Sequence, residues 1–476
     1  MKEMFNGCSK LTSLDLRSFD TSKVTDMLKM FQNCSSLASL DFTNFNTPNV
    51  TEMRWMFYNC SSLTSLDLSS FNTSKVTSMH EMFRNCSKLT SLVLSSFDTS
   101  NVTDMYGMFD HCSSLISLDL SNFDTSKVTN MGLMFDYCSS LIYLDVSNFD
   151  TSNVTNMNAM FALCSSLTYL DVSNFDTSSV TRSMGGMFSS CSSLTSLDLS
   201  NFDTSNVTNM SRMFNFCSSL TSLDLSSFDT FNVTDMGSMF SLCFSLTSLD
   251  LSSFDTSNVT DMESMFFRCG SLTSLDLSSF DTSNVTDMGG MFYSCSSLDS
   301  LDLTNFDTSS VTNFKTIFSG CSGLTSLDLS GFKTDKVTEM GSMFSGCSSL
   351  NTIIASEENW NTYKVESSSS MFSGCTKLAG GNGTKYDASH IDAEYARIDK
   401  PNSPGYFTGI DKPQDISLSD INDDGNVDVG DIMAIINVMA GSVSGGATVV
   451  SNVDLNGDGV VDVGDIMFII NIMALH

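Results

Sequence analysis

The stretch Cys269-Gly-Ser-Leu-Thr-Ser-Leu-Asp-Leu-Ser-Ser-Phe-Asp-Thr-Ser-Asn-Val-Thr-Asp-Met-Gly-Gly-Met-Phe292 is one copy of a unit that fills most of the chain. Its cysteine recurs at Cys8, Cys34, Cys60, Cys86, Cys112, Cys138, Cys164, Cys191, Cys217, Cys243, Cys269, Cys295, Cys321, Cys347 and Cys375, and nearly every interval is 26 residues. The interval before Cys191 is 27, where Arg182-Ser183 carries an inserted residue, and the one before Cys375 is 28. A fixed period of this length marks a solenoid, in which each unit buries its apolar side only by stacking on its neighbours.

The coil after Cys60 shows the apolar columns: Leu63, Leu66, Leu68, Phe71, Val76, Met79, Met82, Phe83 and Cys86. Leu66-Asp67-Leu68 alternates with period two and predicts a short parallel strand, whereas Met79-x-x-Met82-Phe83 has helical or 3₁₀ spacing and predicts a one-turn helix before each cysteine. A second short strand is expected at Val-Thr-x-Met, and Ser, Thr, Asn and Asp supply the turns between. The fold class expected is an α/β solenoid of about fifteen coils, matching the fifteen cysteines.

Composition agrees. Of 476 residues, 41% are hydrophobic, enough for a sizeable core, while 54 acidic against 22 basic residues leave a net charge of -32. That charge excludes binding along a nucleic-acid backbone. No run of about 20 apolar residues exists to span a bilayer, and no secretory signal pattern opens the chain. Met1-Lys-Glu-Met4-Phe5-Asn-Gly-Cys8 aligns column for column with Met27-Leu-Lys-Met30-Phe31-Gln-Asn-Cys34, so the expectation is an N-terminus truncated inside a coil or a start assigned at an internal repeat methionine.

The columns Leu-x-x-Leu-x-Leu with a cysteine ahead resemble the leucine-rich repeat, and the whole unit resembles the BspA-like surface proteins of anaerobic bacteria. The resemblance covers roughly residues 1 to 408 and implies a secreted or cell-surface protein that adheres to host or bacterial surfaces. Residues 1–375 read as the solenoid. Gly380-Gly-Asn-Gly-Thr-Lys-Tyr386, Tyr395-Ala-Arg-Ile-Asp399 and Pro404-Gly-Tyr-Phe407 place an end cap at 376–408, which the exposed core of a last coil requires.

Stacking turns each column into a row with about 4.8 Å between neighbours. Asp15, Asp41, Asp67 and their equivalents to Asp328 form an outward acidic row, broken at Val93. It reads as a solvated face or as a cation-binding one. Repulsion of roughly 0.8 kcal/mol per neighbouring pair is small beside the 1.5–3 kcal/mol, approximately, of one buried apolar side chain, so folding needs no metal there. The second acidic row, with Asp98, Asp124 and Asp150, is placed for Asx turns. Side chains in a parallel row point alike, and disulfide geometry is demanding, so the cysteines read as free buried thiols.

Variable columns lie between the two methionines and between Phe and Cys. They carry Arg54, Trp55, Tyr58, His80, Arg84, Tyr106, His111, Tyr137, Phe216, Phe267 and Tyr293, with Tyr143 and Tyr169 beside the acidic row. Exposed aromatics and arginine suit binding, which makes Arg54, Trp55, Tyr58, Arg84, Tyr106, Tyr137, Tyr143 and Tyr169 the candidate ligand face; drift at unselected loop positions gives the same pattern and is the alternative reading. The four histidines are scattered and no phosphate loop appears, so no enzyme activity is expected.

Beyond a linker at 409–419 the repeat gives way to a duplicated motif at 420–476. Oxygen donors at positions 1, 3 and 5, a backbone carbonyl at 7, a water-mediated ligand at 9 and a carboxylate at 12, with Gly at 6, define the calcium loop. Asp420, Asn422, Asp424, Asn426, Asp428 and Asp431 fill these places first; Asp454, Asn456, Asp458, Val460, Asp462 and Asp465 fill them again. Two calcium ions are expected. Each loop leads into a helical pattern without a helix before it, and this tandem of half EF-hands resembles a dockerin. The resemblance implies a small all-α module and a cohesin-like partner. Ile432, Ile435, Ile436 and Met439 should pack on Ile466, Ile469, Ile470 and Met473, leaving Ala434, Val438, Phe468, Ile472 and Leu475 either to dock the partner or to pack against the solenoid. Val429-Gly430 and Val463-Gly464 depart from the polar pair of cellulosomal dockerins. The rival readings are a structural spacer in an assembly and a catalytic or non-catalytic subunit of a polysaccharide-degrading complex.

Overall fold

Every apolar column is buried. Leu63, Leu66, Leu68, Phe71, Val76, Met79, Met82, Phe83 and Cys86 belong to one core that continues from coil to coil. The computed structural model describes residues 1–410, and Met1–Gly409 form one unit. One phenylalanine per coil, from Phe5 and Phe31 to Phe344 and Phe372, stacks on its equivalent with centroids 5.4–6.0 Å apart. The ladder passes the Arg182 insertion without a break, Phe161 and Phe188 lying 6.0 Å apart.

The Met-x-x-Met-Phe-x-x-Cys segment corrects an expectation: it is three linked β-turns, not a one-turn helix. The amides of Met82, Arg84 and Cys86 donate three residues back, to Met79, Glu81 and Phe83. Those of Met79, Glu81, Phe83 and Asn85 donate instead to Asp104, Tyr106, Met108 and Asp110 in the next coil. A helix would spend its interior amides on its own carbonyls and leave the coils joined by side chains alone. The alternation demands left-handed residues at two places per coil, here Glu81 (φ 48°) and Asn85 (φ 64°), and the pattern runs from Glu3 and Gly7 to Ser370 and Gly374. Each non-glycine there costs roughly 1–2 kcal/mol, which burial of the four inward side chains outweighs. Among the described residues the only helical element is the 3₁₀ turn Ala393–Tyr395.

The Leu-x-Leu corner gives strands in two places rather than in every coil. Strand β1 (Ser65–Asp67) pairs in parallel with β2 (Ser91–Val93), while β3 (Ser326–Asp328), β4 (Thr352–Ala355) and β5 (Phe407–Gly409) form a three-stranded parallel sheet. In between, side chains bridge the rungs. The Asn122 amide donates to the Leu94 and Phe97 carbonyls one coil back, at 3.1 and 2.6 Å, and Asn148 repeats this toward Leu120 and Phe123. The ladder expected at Val-Thr-x-Met appears as parallel bridges, among them Asp26 to Glu52, Ser78 to Asp104 and Glu339 to Ser367.

Two polar ladders run inside. All fifteen cysteines are free and all but Cys8 are buried, each donating its Sγ–H to a phenylalanine carbonyl of the preceding coil, as Cys60 does to Phe31 at 3.1 Å. The threonine column, Thr21 to Thr334, is equally buried. Thr73 Oγ1 donates to the Asp98 carbonyl and accepts from the Asp98 amide, both at 2.8 Å.

The array closes on Trp360, Tyr406 and Phe407. Trp360 meets the Phe407 ring at 4.9 Å and donates Nε1–H to the Ala396 carbonyl at 2.9 Å, and Phe372 ends the ring ladder edge-on against Tyr406. Asp399, 3% exposed, holds the cap by accepting from the Asn382 and Thr384 amides, the Thr384 hydroxyl and the Gly405 amide. Gly405 packs so closely on the Arg397 carbonyl that a Cβ there would overlap it.

Candidate functional site

The turn ribbon leaves the residues after the first methionine and after the phenylalanine outside the core. Between Lys29 and Tyr137 these positions form one connected network. Trp55 donates Nε1–H to Glu81 Oε2 at 2.8 Å, meets the His80 ring edge-on at 5.2 Å, and carries the Lys29 ammonium and Arg54 guanidinium at 5.0 and 5.5 Å from its centroid. Arg54 is held by Glu52 at 2.6 Å. His80 stacks on Tyr106 at 5.1 Å with Nδ1 3.0 Å from Asp104 Oδ2. Arg84 lies 5.9 Å from the Tyr58 ring and pairs with both Glu81 and Asp110, its Nε 2.9 Å from Asp110 Oδ2. His111 touches Asp110 and stacks on Tyr137 at 4.6 Å.

Arg54, Trp55, Tyr58, Arg84, Tyr106 and Tyr137 are therefore brought together. Tyr143 and Tyr169 are not in this network; they stand at the Leu-x-Leu corner with Ile116 and Ile142, each just over half exposed. The acids Glu52, Glu81, Asp104, Asp110 and Asp136 went unread in the sequence because they sit in ordinary polar columns. A signal was available: Arg84, Asp110 and Asp136 occupy the same column on consecutive rungs.

These acids differ electrostatically. Burial pushes the Asp104 carboxyl up, but hydrogen bonds from His80 and the Tyr106 amide outweigh it and leave the group below the usual range. Burial wins at Asp110, which is raised despite His111 and Arg84. At Asp136 burial, reinforced by the charge of Asp110, pushes the carboxyl up to about 6. The outward acidic row behaves otherwise. Asp67 accepts from the Ser69 amide at 2.9 Å, and Ser69 hydrogen bonding lowers it. Asp98 makes the expected Asx turn with the Ser100 amide at 3.1 Å. The calcium-ligand set from Asp420 to Asp465 and the docking set Ala434, Val438, Phe468, Ile472 and Leu475 lie outside the described residues. No helix among the described residues is long and apolar enough to cross a membrane.

A family model described as "Mycoplasma protein of unknown function, DUF285" matches residues 1–115, 62–167, 103–196, 140–241, 182–299, 221–321 and 294–400. A dockerin type I domain matches residues 418–474. Among solved structures, the chain is similar to a leucine-rich cell surface protein from Faecalibacterium prausnitzii, at 20% identity over 72% of this chain and 81% of that one, TM-score 0.33. It is also similar to a leucine-rich repeat protein of T. pallidum, at 20% identity over 42% and 73%, TM-score 0.25. A third, from Eubacterium ventriosum, shows 18% identity over 53% and 76%, TM-score 0.26. No curated protein matches the chain.

Proposed function

This chain belongs to the DUF285 family, its leucine-rich repeats joined to a dockerin type I domain, and from that premise we propose that it is a secreted or cell-surface bacterial binding scaffold. The solenoid binds a surface protein or glycan, and the dockerin, loaded with two calcium ions, attaches the scaffold to a cohesin-type partner. The observation that supports binding is the rim network. Its large side chains sit where the fold accepts anything: the place of Trp55 is held by Ser264, Gly290, Thr316 and Ser342 in later coils. Tryptophan, tyrosine and arginine are the residues that dominate binding energies.

The test uses the full chain. Immobilised protein should capture a cohesin in calcium and release it in chelator, and calorimetry should count two calcium sites, with Asp420→Ala/Asp431→Ala removing one. Capture that ignores calcium sinks the attachment. On arrays of glycans and surface proteins, replacing Arg54, Trp55 and Tyr58 together by Ala should abolish binding while circular dichroism is kept; unchanged binding sinks the rim.

A further inference from the structure

The column two residues before each cysteine holds Tyr58, Arg84, Asp110, Asp136, Ala162, Ser189, Asn215 and Ser241 on successive rungs. Only Asp110 and Asp136 are carboxylates, and the fold manages with serine or alanine elsewhere. Stacking sets these two acids side by side. Asp110 is fully buried, and burying adjacent like charges costs several kcal/mol, approximately, unless they are compensated.

Compensation is incomplete. Arg84 Nε lies 2.9 Å from Asp110 Oδ2 without forming a hydrogen bond, and it is shared with Glu81. Asp110 Oδ2 and Asp136 Oδ1 are buried oxygens that accept no hydrogen bond. Glu81, Asp110 and Asp136 against Arg84 leave a local charge of two negatives when His111 is neutral, which one divalent cation balances. Among the described residues, Asp110, His111 and Asp136 are also the only group whose ligand atoms converge, all within 4.8 Å of one another.

We propose that Asp110, His111 and Asp136 form a binding site for one divalent transition-metal cation. One imidazole nitrogen and two carboxylate oxygens are donors that suit zinc, at about 2.0–2.2 Å from each. The stack of His111 on Tyr137 fixes the ring, and left-handed Gly107 lets the turn pack against Glu81, whose Cγ would lie 3.1 Å from a Cβ there. Three protein ligands leave a coordination place for water or for a donor group of a ligand held on the rim. The site stands on this geometry alone, independent of what the rim or the dockerin binds.

The full chain, saturated with calcium and alkylated in the native state to block Cys8, is titrated with zinc chloride by equilibrium dialysis and calorimetry. Wild-type protein should bind one zinc per chain more than His111→Gln and Asp136→Ser, with micromolar affinity, and each variant should weaken that site at least tenfold. Asp136→Ser carries the residue that Ser241 supplies in another coil, so it keeps the fold. Zinc should raise the melting temperature of the wild type and not of either variant. Equal zinc uptake by wild type and variants, or no uptake at 100 µM zinc, would overturn the proposal.

Discussion

Thr73→Val removes one hydroxyl from the interior and nothing else of comparable size. Thr73 is fully buried, and its Oγ1 makes two 2.8 Å hydrogen bonds to the backbone of Asp98 in the next coil. Valine fills the same space and cannot replace either bond. Each hydrogen bond contributes about 1 kcal/mol net, and the deserted amide and carbonyl add desolvation cost, so the expected loss is about 2–3 kcal/mol. Ser100→Ala is the control: its Oγ donates to Asp98 Oδ1 at 2.6 Å on the exposed side, where a loss stays within about 0.5 kcal/mol. Because neighbouring coils are coupled more strongly than distant ones, urea unfolding of the full chain in calcium should be paired with hydrogen exchange at single amides. The Asp98 amide should lose protection in Thr73→Val and keep it in Ser100→Ala. If Thr73→Val shifts stability by less than about 0.5 kcal/mol, the threonine column is spacing and not a structural hydrogen-bond ladder.

Thiol titration should label one cysteine, Cys8, in the native chain and fifteen after denaturation. Alkali should unfold the solenoid between about pH 9 and 12. Burial raises Cys191, Cys243 and Cys321 from an ordinary 9.0 to about 12. Their contribution is fully present below pH 9 and lost as pH rises toward 12, and at about 1.4 kcal/mol per unit these three alone approach the stability of a typical domain; a fold unchanged at pH 12 by circular dichroism would refute this. Asp399→Ala should strand the amides of Asn382, Thr384 and Gly405 and cost about 3 kcal/mol or more. Hydrogen exchange should show the loss concentrated in the cap and last coils, and an even loss along the array would count against a capping role.

The apolar columns and the register were legible because burial is periodic and a solenoid has one way to stack it. The turns were not, because Met79, Met82, Phe83 and Cys86 have a spacing that helices and linked turns share. The residues that separate the two stood elsewhere. Asn33, Asn59, Asn85, Gly320, Gly346 and Gly374 precede their cysteines, and Gly107, Gly186 and Gly290 fall two after a methionine, all at positive φ. Asparagine and glycine tolerate that region best, so their column was the signal against a helix. The buried threonines read as turn residues because a hydroxyl suits both places. The rim acids were hidden by their own ordinariness: Asp104 shares a column with Ser78, Asn130 and Asn156, and only the side chain it faces, His80, gives it a role.

The turn ribbon also explains why the rim is where this chain varies. At Trp55 and Glu81 the backbone amides are already spent on His80 and Tyr106 of the following coil, so joining the coils there asks nothing of the side chains. Positive φ sets a cost of roughly 1–2 kcal/mol for any non-glycine residue there, nearly the same for tryptophan, lysine or leucine, as Trp55, Lys29 and Leu133 all attest. The core columns are bound instead by shape: one phenylalanine ring must meet the next at 5.4–6.0 Å along the whole array. In the proposed scaffold, folding and recognition thus rest on different residues of the same 26-residue unit: the ladders keep the solenoid folded, and substitutions along the rim alter the proposed binding face alone.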